Sequence, residues 1–509
     1  MKKRIIALFC LFSIIGGIFL SGCGKKTEKN EIIKPTFTSE NFAAGATVTY
    51  ESLKQKEVPD AENLFSDDNK AWTPQDLNRS PSEGQKDVCN SVVEIELQKT
   101  ATFNIAVIEE IGNEVQYFRL QAFIDDEWKT IYQSEKIQEY RLCSFDAVTT
   151  NKIRLSIDKF RSKDVPAKIK SLQLYYEVVD EAKDFNVTVY QRLDGDVPSE
   201  ILKGTKEEIK NYARFYDVYD TVLIFGAVQW DGDNMVFGGA DGEDGFAREL
   251  AALREIISHR SNPSHEVKVI CTGLADGTGG DGHSGVNVFM ARHFETVADK
   301  LITFVEKYDL DGLDIDWEYP ATKEDWDCFD AFITRLDDGM KKIKPDAILS
   351  GALSAWALGM SRETLARFNQ IQFMAYDGND EDGYQSSLDQ AQWGLVQFVK
   401  NGADLKNINI GIASYGRPTN GAPYWPIWRD VEGYHLYWNS MHYNVLCADQ
   451  LFDATYCSPA LAGDKTAYSL LSGAGGVMVF RLACDKTMDN PNSVACGIEN
   501  ALIRHISEK

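Results

Sequence analysis

The sequence predicts a multidomain chain, an all-β sandwich followed by an α/β domain, a (β/α)8 TIM barrel. Over residues 36–178, short segments alternate apolar and polar side chains and are separated by turn-rich pieces, which favours a β-sandwich. Over residues 186–509, apolar runs of strand length alternate with helical stretches, which is typical of repeated βαβ units. Eight such runs in about three hundred residues fit one barrel.

The chain begins with a basic head, Lys2, Lys3 and Arg4, followed by an apolar run over 5–20. Small residues then precede Cys23, a pattern typical of a bacterial secretory signal that resembles a lipoprotein box. We expect a signal peptide over 1–22, lipid modification of Cys23 and a flexible tether over 23–35. The protein would then be exported and anchored to the cell-surface membrane by this lipid. An uncleaved membrane helix is the alternative, although the run is at the short end for one.

Composition restricts the partners. The formal net charge is -24, and loss of residues 1–22, which hold three basic and no acidic residues, makes it more negative by three. This charge argues against nucleic acid and against anionic membranes except through the lipid, while a neutral glycan remains acceptable. No Cys-x-x-Cys motif or histidine cluster indicates a metal, and we expect no cofactor and a monomer.

Ten cysteines include one in the signal and one at the anchor. An exported protein permits disulfides, but connectivity cannot be deduced from sequence. Proximity alone makes three pairs possible: Cys89 with Cys143, Cys447 with Cys457, and Cys484 with Cys496.

The predicted sandwich has alternating segments at 91–97, 103–108 and 152–157. The order of its features resembles a discoidin-like (coagulation factor type C) domain. The matching stretches are 64–68, Trp72, 93–97, 128–131, 148–155 and 169–175. This resemblance implies a possible carbohydrate-binding module, and a spacer or packing domain is an equal alternative.

The stretch 310–320 is the most informative in the chain. On a β-strand, Asp314, Asp316 and Glu318 would share one face, while Leu313, Ile315 and Trp317 would point into apolar packing. Crowded carboxylates raise one another's pKa, so Glu318, at the strand's C-terminal end, can keep a proton and donate it. A metal site or a solvated acidic edge strand are the alternatives.

The pattern Asp-Gly-x-Asp-x-Asp-x-Glu, from Asp311 to Glu318, resembles the active-site signature of glycoside hydrolase family 18, the chitinases and related endo-β-N-acetylglucosaminidases. The resemblance implies a catalytic barrel over 186–509 with this stretch as its fourth strand. It implies that Glu318 protonates the glycosidic oxygen and that the substrate's own 2-acetamido group attacks the anomeric carbon. Asp316 would orient that acetamide and stabilise its charge, changing partner from Asp314, and the anomeric configuration would be retained.

The other seven predicted barrel strands flank this one in chain order. They are 186–190, 221–228, 267–273, 347–354, 370–377, 408–415 and 475–481. Helices are predicted between them, for instance over 246–259 and 289–308.

Further site residues follow from the same resemblance, because a barrel carries its function at the C-terminal ends of its strands. Met374-Ala375-Tyr376-Asp377 is similar to the family's Met-x-Tyr-Asp, and Tyr415-Gly416-Arg417 is also family-like. The catalytic candidates are Glu318, Asp316, Asp314 and Tyr376. The candidates for substrate binding are Asp311, Met374, Asp377, Tyr415, Phe480 and Trp356.

Two positions depart from the family pattern. The third strand reads Cys271-Thr272-Gly273-Leu274 instead of Ser-x-Gly-Gly, and Phe480 stands where a tryptophan usually floors the sugar site. Between the last two strands, the segment 416–474 is short for the extra lobe of deep-cleft chitinases, which predicts a more open groove. Its aromatic residues are expected to be partly core and partly glycan-stacking: Tyr424, Trp425, Trp428, Tyr434, Tyr437, Trp438 and Tyr443.

The resemblance predicts hydrolysis of β-1,4 linkages in glycans that contain N-acetylglucosamine, such as chitin oligomers. Two alternatives stay open, an endo-β-N-acetylglucosaminidase acting on the chitobiose core of N-glycans and a non-catalytic surface glycan-binding lipoprotein.

Overall fold

The computed structural model describes most of the chain. The described residues are 31–49, 60–66, 70–75, 91–162, 164–179, 185–239, 241–275, 283–419, 425–431, 443–447 and 450–507. Residues 32–509 form one compact unit. Cys23, the signal peptide, most of the tether and Cys89 lie outside the described residues, as do Tyr424, Tyr434, Tyr437 and Trp438.

The N-terminal part is an antiparallel sheet, which we call the N-terminal sheet. Its strands are β1 (Thr47–Thr49), β2 (Ser91–Glu110), β3 (Val115–Ile124), β4 (Glu127–Ser134), β5 (Arg141–Phe160) and β6 (Ile169–Tyr175). The strand order is β1-β2-β5-β3-β4, and β6 also pairs with β2. The pairing of the long strands β2 and β5 shifts register twice, near Glu96 and near Phe103. Apolar side chains on one face form a separate core that includes Phe103, Phe118 and Leu155.

The strands that follow build the second part. They are β7 (Asn186–Gln191), β8 (Thr221–Ile224), β9 (Val228–Asp231), β10 (Asn234–Phe237), β11 (Lys268–Leu274), β12 (Gly312–Ile315), β13 (Ile348–Leu353), β14 (Gln370–Phe373), β15 (Ile408–Ala413), β16 (Gly416–Pro418), β17 (Tyr443–Cys447), β18 (Gln450–Tyr456) and β19 (Gly476–Phe480). Eight of them, β7, β8, β11 to β15 and β19, pair in parallel and close a barrel, which confirms the barrel part of the predicted fold. The predicted second strand, 221–228, is too long: β8 ends at Ile224, and a β9–β10 hairpin begins at Val228.

Helices alternate with the barrel strands. They are α1 (Pro198–Ile201), α2 (Lys206–Ala213), α3 (Gly242–Ser258), α4 (His283–Tyr308), α5 (Lys323–Ile343), α6 (Arg362–Leu365), α7 (Leu388–Asn401), α8 (Pro459–Ser472) and α9 (Val494–His505). Short 3₁₀ helices span Ala61–Phe65, Arg214–Asp217, Leu405–Asn407, Trp428–Asp430 and Leu482–Cys484. No helix in the described part of the chain is both long and apolar enough to span a bilayer.

Local sequence fixes where the helices beside β12 and β14 begin. Thr322 caps α5 in a reciprocal pair with Asp325, and Ser387 caps α7 in the same way with Gln390. Such a capping box satisfies amides that the helix itself leaves unpaired. It therefore determines where the loops after β12 and β14 end.

The glycine of the signature has a packing reason. A Cβ atom on Gly312 would lie 1.9 Å from the carbonyl oxygen of Ile348 on the neighbouring strand, which no side chain allows. This position therefore needs glycine for the close approach of β12 and β13.

Polar side chains from β7, β13, β14 and β15 meet inside the barrel. Gln372 donates to Ser350 at 3.1 Å and accepts from Asn409 at 3.1 Å, and Asn409 also reaches Thr188 at 3.3 Å. These four residues are at most 1% exposed. The network satisfies buried polar groups and leads from the N-terminal end of the barrel towards β12.

The N-terminal sheet and the barrel share apolar contacts. Ile105, Val107, Tyr140 and Leu142 belong to the same buried cluster as the barrel helices. In addition, Val179 bridges to Ile506 just beyond α9. The two parts therefore bury surface against each other.

Six cysteines are free thiols in the structure: Cys143, Cys271, Cys328, Cys457, Cys484 and Cys496. The possible Cys484–Cys496 disulfide is therefore absent from the structure, and the Cys496 thiol instead donates to the Met488 carbonyl at 3.6 Å. Cys143 and Cys457 are buried and likewise form no disulfide.

Candidate active site

The last two acidic residues of the signature, Asp316 and Glu318, lie at the C-terminal rim of the barrel. β12 ends at Ile315, so Asp316 and Glu318 follow the strand instead of lying on it, which corrects the predicted strand 310–320. The Asp316 amide still donates to the Leu274 carbonyl at 2.9 Å, and this bond continues the path of the strand. Leu313, Ile315 and Trp317 are at most 2% exposed, which confirms their predicted packing away from the acids.

Asp314 sits inside the barrel and is held by three hydroxyl groups. Its carboxylate accepts hydrogen bonds from Ser350 at 2.8 Å, Thr272 at 3.0 Å and Tyr190 at 3.1 Å. Thr272 and Ser350 are its direct strand neighbours in β11 and β13. Burial raises the pKa of Asp314 to about 6, and these donors oppose that shift.

The three acids differ in their exposure to solvent. Asp314 is 0% exposed, Asp316 is 7% exposed, and Glu318 is half-buried. Only the outermost acid is therefore open enough to meet a solvent-borne substrate directly. The inner two, Asp314 and Asp316, can influence a bound substrate through their charge.

Tyr376 converges with these acids from β14. Burial raises its pKa well above the ordinary value, and the negative charges of Asp377, Asp316 and Glu318 raise it further. The phenol consequently keeps its proton at neutral pH. It is a hydrogen-bond donor placed beside the carboxylates.

Tyr319 closes the other side of the site. Its hydroxyl lies 2.9 Å from that of Ser354, and burial followed by the charge of Glu318 raises its pKa. Its ring meets that of Trp356 at 4.5 Å between centroids, nearly edge-on. Trp356 is 68% exposed and therefore presents a free aromatic surface next to Tyr319.

Phe480, the last residue of β19, is the centre of an aromatic cluster. Its ring centroid lies 5.5 Å from those of Tyr190 and Phe225, 6.1 Å from Tyr376 and 6.2 Å from Tyr415. The ring is half-buried and close to parallel with that of Tyr376. The phenylalanine thus provides an apolar floor beside the acids, smaller than a tryptophan would be.

Asp377 links β14 to the segment after β15. It accepts a hydrogen bond from Tyr415 at 2.5 Å and an ion-paired bond from Arg417 at 2.7 Å. The Arg417 guanidinium lies 3.2 Å from the ring centroid of Trp425, and Trp425 stacks on Tyr415. Trp425 is 38% exposed, so it borders the cleft, whereas Trp428 is 1% exposed and belongs to the core.

Met374 follows the last residue of β14 and is half-buried on the same rim. The structure thus brings the predicted residues of β12, β14, β15 and β19 together at one end of the barrel. Asp311 is the exception.

Asp311 lies at the opposite end of β12 from Glu318. It accepts a hydrogen bond from the Val269 amide at 2.8 Å and one from Lys344 at 3.0 Å. β12 is four residues long, or ~13 Å, and separates it from the rim. Its prediction as a substrate-binding residue is therefore wrong, because the residue instead joins the N-terminal ends of β11, β12 and β13.

Sequence reasoning missed Tyr190, Ser350 and Tyr319 as site residues, and it treated Thr272 merely as a departure from the family pattern. The available signal was a hydroxyl residue at an inward position of β7, β11 and β13. Such residues stand out where a barrel strand would otherwise carry apolar side chains.

The model of the glycosyl hydrolases family 18 matches residues 221–485. A curated rice protein (Oryza sativa subsp. japonica), putative alpha-L-fucosidase 1, is 30% identical over 141 residues, which cover 26% of this chain and 25% of that protein. The chain thus spans a quarter of the length of this relative.

Among solved structures, similar chains include three that the chain covers almost entirely. The chitinase ChiB of Flavobacterium johnsoniae has a TM-score of 0.46 and 17% identity over 62% of this chain and 94% of its own. A chitinase of Chromobacterium violaceum has a TM-score of 0.47 and 14% identity, and the match covers 64% of this chain and 100% of that one. Human YKL-39, a pseudo-chitinase with retained chitooligosaccharide binding, has a TM-score of 0.46 and 15% identity. This match covers 62% of this chain and 99% of that one.

The family model spans more than half of the sequence and includes β12 with its carboxylates. The chain belongs to the glycosyl hydrolases family 18.

Proposed function

We propose that this protein is a retaining glycoside hydrolase that cleaves β-1,4 linkages next to N-acetylglucosamine with the help of the substrate's own acetamido group. The observation that carries the proposal is the increasing exposure from Asp314 through Asp316 to Glu318 along the end of β12. A single accessible acid beside a shielded carboxylate suits one proton donor and one charge stabiliser.

In this mechanism, Glu318 gives its proton to the glycosidic oxygen as the bond to the anomeric carbon breaks. The acetamido carbonyl oxygen attacks that carbon and forms an oxazolinium ion, whose positive charge lies near Asp316. Glu318, now a carboxylate, takes a proton from water, and the water opens the ion with overall retention. Because only one protein carboxyl exchanges the proton, the usual separation rule for two carboxylates does not apply.

Tyr376 and Phe480 have different roles in this proposal. The Tyr376 phenol donates a hydrogen bond to the acetamido oxygen and so aligns it for attack. The Phe480 ring receives the apolar face of the sugar. Asp377 and Tyr415, joined at 2.5 Å, offer polar groups for sugar hydroxyls.

The test compares wild type with Glu318→Gln on a chromogenic chitobioside, on chitin oligomers and on high-mannose glycoprotein. We expect wild-type turnover with a β-anomeric product by NMR, and a loss of at least ~10²-fold in the variant, as removal of a general acid produces. Ligand binding by calorimetry should survive the substitution. Preference for the glycoprotein would make the protein an endo-β-N-acetylglucosaminidase. Binding without turnover in wild type would instead make it a glycan-binding protein, as YKL-39 is described to be.

We further propose that Cys23 carries a lipid anchor after cleavage of residues 1–22 and that the N-terminal sheet belongs to a discoidin-like module. Labelling with a radioactive fatty acid should mark wild type and leave Cys23→Ser unlabelled. Labelling of both proteins would refute the anchor.

A further inference from the structure

We propose that the N-terminal sheet holds the catalytic segment in place, with Lys136 as its principal positioning residue. The segment in question is residues 374–387, from the end of β14 to the cap of α7, and we call it the β14–α7 segment. It includes Met374, Tyr376 and Asp377. This role goes beyond the proposed function, and its activity readout rests on that function.

The first contact joins one end of the sheet to the apex of the segment. Lys136, which follows β4, pairs with Asp380 at 3.2 Å and also with Asp382. Arg161, which follows β5, pairs with Asp382, and Asn113 donates to the same carboxylate at 3.0 Å. The side chains of Lys136, Asp380 and Asp382 are 9%, 5% and 14% exposed, so this pairing is shielded from solvent. Shielding makes such a pair costly to break from one side.

The carboxylates that Lys136 pairs with also shape the segment. Asp380 accepts hydrogen bonds from the amides of Asp382 at 2.9 Å and Tyr384 at 3.0 Å. The Lys136 ammonium lies 4.0 Å from the ring centroid of Tyr384, a cation–π distance. Lys136 therefore contacts three residues of one tight turn.

Gln385 connects this turn to the active site by hydrogen bonds to Asp377 and Tyr415. Asn379 bridges to Gln385, whose side chain is 0% exposed. Its amide oxygen accepts from the Asp377 backbone at 3.3 Å, and its amide nitrogen donates to the Tyr415 carbonyl at 2.7 Å. The residue thus fixes the two groups that border the sugar site, Asp377 and Tyr415.

A second set of contacts joins the N-terminal sheet to the β14–α7 segment through α8. Asp464 pairs with Arg141 at 2.8 Å and accepts from the Tyr132 hydroxyl at 2.7 Å, so it ties α8 to β4 and β5. Its neighbour Lys465 is 0% exposed and donates to Ser386 at 3.0 Å and to the Ala375 carbonyl at 3.4 Å. Adjacent residues of one helix therefore link the sheet to both ends of the segment.

The two contacts bracket Tyr376 and Asp377. Ala375 lies on one side of these residues, and the Asp380–Ser386 turn lies on the other. Asp377 and Ser386 have positive φ angles of 66° and 55°, a conformation unfavourable for residues other than glycine. External contacts are what keep such a segment in one conformation.

The test uses the full chain with Lys136→Met and, as a matched control, Lys129→Met. Lys129 lies on β4 of the same sheet, and its pairing with Asp125 is exposed, so its loss should have little effect. Amide hydrogen exchange of residues 377–386 should accelerate at least ten-fold in Lys136→Met and stay unchanged in the control. In the same variant, kcat/KM should fall about ten-fold, mainly through KM, because the sugar-binding groups lose their alignment.

Asp382→Asn tests the contact from the other side and covers the case that Lys136→Met folds poorly. It should give the same exchange pattern, and the double variant should accelerate exchange by less than the product of the two single effects, because both substitutions remove the same Lys136–Asp382 pair. Equal exchange of residues 377–386 in Lys136→Met, Asp382→Asn and the Lys129→Met control would overturn the proposal. Because exchange needs no substrate, a wild type without glycosidase activity would refute the proposed function and leave this test decisive.

Discussion

Ser350 donates a hydrogen bond of 2.8 Å to the carboxylate of Asp314 from the neighbouring strand. Together with Thr272 and Tyr190, it supplies three neutral donors to an acid that is 0% exposed. Three hydroxyl groups do not fully replace water around a charge, which is why the pKa of Asp314 is raised to about 6.

Asp314 should therefore make the free energy of unfolding depend on pH. The folded protein binds this proton more tightly than the unfolded chain does, so the associated stability is present below pH 3.8 and is lost as pH rises through about 6. As pH rises between these limits, wild type should lose ~3 kcal/mol of unfolding free energy that Asp314→Asn, which has no proton to lose there, keeps. Urea unfolding at several pH values measures this difference. A difference between the two proteins that stays constant from pH 3.5 to 7.5 would contradict the raised pKa.

Asp316→Asn should lower kcat about 10³-fold with little change in stability. The substitution keeps the side-chain shape but removes the charge that would stabilise the oxazolinium ion. Chromogenic chitobioside turnover and a thermal melt provide the two measurements. A substrate with a 2-hydroxyl in place of the acetamido group should resist wild type, and its cleavage at a comparable rate would exclude substrate assistance.

Asp311→Asn should behave in the opposite way. Asp311 joins the Val269 amide and Lys344 at the far end of β12, so its loss should cost about 1–3 kcal/mol of unfolding free energy and leave kcat within two-fold of wild type. Denaturant unfolding and steady-state kinetics distinguish the two effects. A drop in kcat comparable to that of Asp316→Asn would restore Asp311 to the active site.

Trp356→Ala should weaken the binding of long oligomers without destabilising the fold. The ring is 68% exposed and contacts Tyr319 by its edge, so it contributes little to the core and can stack on a sugar beyond the cleavage site. We expect KM for chitin hexamer to rise about ten-fold and KM for the chitobioside to change less. Trp393→Ala, at a ring 42% exposed on α7, is the control and should leave both values unchanged.

The barrel and its acidic strand were predictable because both depend on local patterns. Alternation placed Leu313, Ile315 and Trp317 in the core, and the spacing of the acids indicated the rim. The end of β12 was not predictable, since it depends on where its pairing with the two neighbouring strands stops, at Leu274 of β11 and Gly351 of β13. The same acidic pattern also continues through Asp311, and only the direction of the strand shows that this residue lies at the far end.

The contacts of Lys136 could not have been predicted from the sequence. Its partner Asp380 lies 244 residues away, and each residue alone is typical of a solvated surface. A weak signal was present in α8, where Asp464 and Lys465 are the charged residues of an otherwise uncharged helix. Charged neighbours in such a run indicate buried partners, but their identity is set by tertiary packing.

The apolar cluster that includes Ile105, Val107, Tyr140 and Leu142 spans the boundary between sheet and barrel. Cutting the chain at that boundary would expose apolar surface to water on both fragments, and the isolated barrel would be prone to aggregate. A truncated barrel is consequently a poor reagent for testing the proposed glycosidase activity. Replacing the N-terminal sheet by that of a related protein would require redesigning its apolar interface with the barrel as well.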